Sequence, residues 1–121
     1  MSRNSKGNLF ERQMLDYLRD AGVDVVRVHD GGTRDEGDLR IHASRPLYLP
    51  GRTLYPVLTA QLKNFRNLAD GINAALRDLP EQVAKARADA GVAIVRRHGK
   101  PHPGDALVVC TVDTAVELGW L

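Results

Sequence analysis

Apolar residues first recur at helical spacing. Phe10, Met14, Tyr17, Leu18 and Ala21 form one stripe, which predicts a helix over 5–20 with Gly22 as its stop. Residues 24–28 read as a short strand, and 29–37, rich in Gly and Asp, as a loop. From Asp38 to Ala43 the alternation is strict. Leu39, Ile41 and Ala43 share one face, with Asp38, Arg40 and His42 on the other. Pro46, Pro50 and Gly51 make 44–53 an irregular hairpin connection. Residues 55–63 alternate again, with Leu58, Ala60 and Leu62 opposed by Val57, Thr59, Gln61 and Lys63. A helical pattern follows from Leu68, and Pro80 is expected to break it near Leu79. Asp78 and Glu81 would cap a restarted helix that runs to Asp89 and ends at Gly91. Val92–Val95 reads as a strand covered on both faces, 106–110 as a second buried strand, and 113–118 as a short helix. The predicted fold class is α/β, in the order α-β-β-β-α-β-β-α, with a mixed central sheet flanked by helices.

The length of 121 residues fits one domain, 1–121, and would divide poorly into two. Nothing approaches 18 consecutive apolar residues, so no membrane helix is expected. Met1–Gly7 carries charge with no apolar segment behind it, unlike a secretory leader. Cys110 has no partner for a disulfide and lies in an apolar run, which fits a buried, reduced thiol and a cytoplasmic chain. Lys and Arg number 17 against 15 acidic residues, a net charge of +2. Of those bases 13 are Arg, the side chain that grips phosphate bidentately, though a coding bias gives the same skew. Gly31, Gly32 and Gly37 match neither a phosphate loop nor a dinucleotide fingerprint, so no nucleotide cofactor is implied. His98 and His102 are four apart, but Pro101 and Pro103 rule out a helical zinc face there.

The candidate chemistry lies on the polar faces of the two middle strands. If these strands pair, Asp38, Gln61 and Lys63 meet on one side of the sheet. The Asp38 carboxylate, the Gln61 side-chain oxygen and the Leu62 backbone carbonyl are oxygen donors suited to Mg²⁺. Lys63 would orient or deprotonate an attacking water, or neutralise charge on a phosphate. Glu11 sits at the edge of the first helix's apolar stripe and adds a carboxylate close to the buried side. Taken singly, each residue has an ordinary explanation as a cap, a turn or a solvated face.

In this order and spacing the residues resemble the PD-(D/E)xK nuclease superfamily, and within it the archaeal-type Holliday junction resolvases. Lys6-Gly7-Asn8-Leu9-Phe10-Glu11-Arg12 is similar to the family's opening, with Glu11 on its helix carboxylate. Gly37-Asp38-Leu39 resembles its metal-binding Asp, and Gln61-Leu62-Lys63 stands where the family has Glu-x-Lys. Gln82 matches a Gln that many members place beside the site, and 91–97 resembles the strand that follows. The likeness spans about residues 3 to 110. It implies a restriction-endonuclease-like fold and a Mg²⁺-dependent endonuclease, with Mn²⁺ able to substitute. The implied catalytic residues are Glu11, Asp38, Gln61, Lys63 and Gln82. The implied ligands are Asp38, Gln61, the Leu62 carbonyl and Glu11.

The implied substrate is branched DNA, a four-way junction, held through its phosphates. Arg3, Lys6, Arg12, Arg34, Arg96 and Arg97 are the DNA-binding candidates. Two symmetric cuts imply a homodimer, for which Leu118 and Trp120 are candidate anchors. The host compartment would be the cytoplasm of a prokaryote, or of a cell carrying a phage. Gln61 is the departure: an amide oxygen can ligate a cation but brings no charge, so metal should bind more weakly. Two alternatives follow. One is another nuclease of the superfamily, acting on flaps, nicks or restriction sites. The other is a DNA-binding module whose nuclease site has decayed.

Overall fold

The computed structural model describes residues 5–28 and 37–121, with residues 5–8 by backbone alone. Helix α1 spans Ser5–Asp20 and buries Phe10, Met14 and Leu15. It ends at Gly22, whose φ of +87° lets Val23 N–H reach Leu18 O at 2.9 Å and Gly22 N–H reach Arg19 O at 3.0 Å. That bond pair is the glycine-terminated close of a helix. Tyr17 and Ala21 of the expected stripe are exposed, and Leu15 is the buried residue instead.

Strands β1 (Asp24–Arg27), β2 (Leu39–His42) and β5 (Val57–Lys63) are antiparallel neighbours. Strand β6 (Ala90–Val95) runs parallel to β5, and β7 (Leu107–Val109) antiparallel to β6. The sheet order is β1-β2-β5-β6-β7, so the sheet is mixed, as the alternation predicts. The parallel pair requires a long crossover, which helix α2 (Leu68–Ala86) supplies. Helix α3 covers Val112–Glu117. Among the described residues no helix is long and apolar enough to cross a membrane.

The sheet has an apolar layer on each face. Leu39, Leu58, Ala60, Leu62, Val92 and Ile94 pack with Phe10, Met14 and Leu15 of α1. Ala93 and Val95 pack with Ala75 and Leu79 of α2. The run 92–95 is therefore covered twice, as its unbroken apolarity predicts.

Several expectations change. Helix α2 passes through Pro80 without a break, and the Asp78/Glu81 restart does not form. A proline inside a helix costs about 3 kcal/mol, and fully burying one leucine such as Leu79 returns about 2. Pro80 itself is exposed, while Ala74, Ala75, Leu79, Gln82 and Ala86 hold the whole face on the sheet. The helix ends at Arg87, a non-glycine at φ +52°, rather than at Gly91. Gly91 belongs to β6, where an added Cβ would come within 2.6 Å of Val83 Cγ2 and 2.9 Å of Leu79 Cδ2. It lets α2 lie close on the sheet.

Residues 47–54 form a small hairpin, β3 (Leu47–Leu49) and β4 (Arg52–Leu54), turned at Gly51 with φ +78°. Strand β7 is an edge with Val108 58% exposed, not a buried strand. Cys110 is half-buried. Leu118 lies in the core and is no interface anchor, whereas Trp120 is exposed.

Candidate active site

The end of the sheet where β2 begins and β5 finishes carries Asp38, Gln61, Leu62 and Lys63. Gly37, at φ +88°, delivers the chain to Asp38 so closely that an added Cβ would overlap Thr59 Oγ1. Only glycine fits that approach. Asp38 is then fixed at two points. Its backbone N–H donates to Ala60 O at 2.9 Å, and its Oδ2 accepts the Leu62 N–H at 2.7 Å. Gln61 lies between those two anchors on β5.

In an extended strand the N–H and C=O of one residue point to the same side. The Leu62 carbonyl thus faces the Asp38 side of β5 as its N–H does. Asp38 is thus bonded to the backbone of β5 at Ala60 and Leu62, the two neighbours of Gln61. Gln61 is 9% exposed, in a row with Thr59 at 1%, so this face of β5 is covered by α2 instead of solvated. Gln61 Oε1 is buried and has no hydrogen-bond donor among the described residues. An unmet buried acceptor of this kind is costly, about 1–3 kcal/mol, unless something positive meets it. The donor set fits a hard cation: one carboxylate, one amide oxygen and one peptide oxygen. Among the described residues no group of three His, Cys, Asp or Glu is arranged to hold a metal.

Glu11 reaches the same end of the sheet from α1. Its Oε1 accepts from Arg27 Nε at 2.9 Å, and its side chain is only 14% exposed. Arg27 pairs with Leu39 across β1 and β2, and the next residue, Val28, donates its N–H to Asp38 O. Glu11 is therefore linked to the Asp38 end through a cation that balances its charge. Lys63 ends β5, with Nζ 5.8 Å from the Phe65 ring centroid. Gln82 is buried at 2% on the sheet-facing side of α2. Its neighbours Leu79 and Val83 flank Gly91, which pairs with Thr59. Gln82 thus stands nearer the level of Thr59 than of Lys63, on the face that carries Gln61.

Of the DNA-binding candidates, Arg3 and Arg34 lie outside the described residues, as does the side chain of Lys6. Arg12 and Arg97 are exposed. Arg96 is half-buried, with Nη1 3.4 Å from Asn64 Oδ1. It lines a cleft of about 460 Å³ beyond the ends of β5 and β6, together with Asn64, Phe65, Arg66 and His98. The first three residues after Lys63 were not singled out by sequence reasoning. Their signal is positional, since ligands in α/β sheets gather beyond the carboxyl ends of parallel strands.

The fold and the site define a mixed α/β protein with an oxygen-donor cluster and a lysine at one end of its sheet. No protein-family model, curated protein or solved structure matches the chain.

Proposed function

We propose that this chain is a divalent-metal-dependent DNA endonuclease of the PD-(D/E)xK type, with a restriction-endonuclease-like core, acting on branched DNA as a Holliday junction resolvase. One observation carries the reading. Asp38 is tied to β5 on either side of Gln61, whose buried Oε1 lacks a donor among the described residues, with the Leu62 carbonyl turned the same way and Lys63 next in the chain. The motif resemblance supports it by naming these same positions.

Asp38, Gln61 and the Leu62 carbonyl would hold a Mg²⁺ ion. When bound, the ion supplies Lewis acidity at the phosphate and a more acidic water. Lys63 places a fixed positive charge where the phosphoryl oxygens become more negative, and this is worth most where water is excluded. Arg66 and Arg96 offer guanidinium forks to flanking phosphates, which fixes register without reading sequence. Glu11, balanced by Arg27, adds a carboxylate at the edge of the site. A four-way junction needs two incisions, so the working unit would be a two-fold dimer.

A second reading has its own observation. With Gln61 in place of an acid, and no three-acid group among the described residues, the site would suit a DNA-binding module without catalysis. One assay separates them: a four-way junction, a flap and a linear duplex, each with Mg²⁺ or EDTA. The proposal expects metal-dependent nicking of the junction with the linear duplex spared. Equal cutting of the flap would make it another structure-selective nuclease. Binding to all three without cutting would select the non-catalytic module.

A further inference from the structure

We infer that the cleft beyond β5 and β6 seats one unpaired nucleotide, its base stacked on Phe65, so that an opened DNA strand is distinguished from intact duplex. The inference rests on the nucleic-acid reading above and adds the feature of the substrate that is recognised. Phe65 is 41% exposed and is the one exposed aromatic that lines this cleft among the described residues. It is held there from below. An added Cβ on Gly71 would lie 3.3 Å from Phe65 Cβ, so the ring is seated against the first turn of α2. Lys63 Nζ stands over the ring at 5.8 Å, linking the platform to the proposed reaction centre two residues away.

The walls match a nucleotide in charge as well as shape. Arg66 and Arg96 line the cleft, no lining residue among the described residues is acidic, and the Asn64 side chain holds the Arg96 guanidinium. Leu9 and Phe10 of α1 supply an apolar side. A volume of about 460 Å³ lies in the range of pockets that take single small molecules. It suits one base and its sugar. Inside a duplex both faces of each base are already covered, so the Phe65 ring within the cleft stacks on a base that has left the stack. Stacking on an aromatic platform tolerates any base, which suits recognition by structure rather than sequence. Flanking phosphates would meet the two arginines.

The test measures binding in EDTA, where no cutting intervenes. One probe is a short single strand with a 2-aminopurine at its centre, and the other is the same sequence as a blunt duplex. Wild type is expected to quench the single strand's fluorescence on binding and to prefer it over the duplex. Phe65→Ala is expected to lose the quench and at least about fivefold in affinity for the single strand. Its duplex affinity should stay within about twofold. Phe65→Trp should retain both quench and affinity, which separates stacking from a folding defect. An unaltered quench in Phe65→Ala, or equal losses on both probes, would overturn the inference. Junction cleavage with an unaltered quench would remove this inference alone. A Phe65-dependent quench in a protein that cuts nothing would remove the nuclease reading alone.

Discussion

Replacing Gln61 with glutamate probes the site without changing its shape. The two side chains are nearly isosteric, so the packing of α2 over this face of β5 should not alter. The electrostatics change sharply. The position is only 9% exposed, and Asp38 is anchored to β5 on both sides of it. A second carboxylate there, with no cation, costs about 3 kcal/mol through lost hydration and like-charge repulsion. Unfolding of a chain of 121 residues carries an entropy near 0.25 kcal/mol/K, so Gln61→Glu should melt about 12 °C below wild type in EDTA. The same carboxylate should bind Mg²⁺ more tightly. At a concentration 100 times its dissociation constant, a ligand returns about 2.7 kcal/mol, or about 11 °C. Calorimetry in EDTA and across a Mg²⁺ or Ca²⁺ series reads both numbers. The variant should fall further and recover further than wild type. Equal melting of the two proteins with and without cation would refute a cation site at Gln61.

Other expectations follow from the same geometry. Asp38→Asn should abolish cleavage while junction binding, measured by gel shift, stays within about twofold, because the arginine contacts to phosphate are untouched. Lys63→Ala should lower single-turnover cleavage about 10²–10³-fold with little change in Kd, since it is one of 17 basic side chains but the proposal puts it at the reaction centre. Gly37→Ala should lower the urea midpoint by the equivalent of about 2 kcal/mol or more, as φ +88° is unfavourable for alanine and its methyl overlaps Thr59 Oγ1.

Much of the fold was legible because two-residue alternation is a strong signal. Leu58, Ala60 and Leu62 fall on one face, as the pattern in 57–63 requires, and the unbroken run 92–95 lies under both layers. What misled were single-residue rules that packing overrides. Pro80 stays helical because the opposite face of α2 is held on the sheet. Gly91 reads as a stop but serves as a gap for α2, while Arg87 takes the left-handed position. The hairpin connection around Gly51 was legible, but its two short paired strands were hidden by Pro46 and Pro50, and the exposure of Val108 by a run that looked like core.

The candidate site was legible as far as its residue types and order. Asp38 does reach β5 at Leu62, as the expected pairing of the two middle strands implies. The burial of Gln61 was not legible, because a polar residue in an alternating strand looks solvated until the helix above it is placed. Nor was the Glu11–Arg27 ion pair, whose partners are far apart in sequence and meet only when α1 lies against β1. Phe65 escaped notice because an aromatic after a strand carries no motif.

The central claim is that the end of the sheet at Asp38 holds a divalent cation able to serve phosphodiester cleavage. The most direct measurement is the anomalous scattering of crystals soaked in Mn²⁺, collected on wild type and on Asp38→Asn. A Mn²⁺ peak within coordination distance of the Asp38 carboxylate, Gln61 Oε1 and the Leu62 carbonyl, absent in Asp38→Asn, is the predicted result. A peak elsewhere, or none at saturating Mn²⁺, would contradict the account.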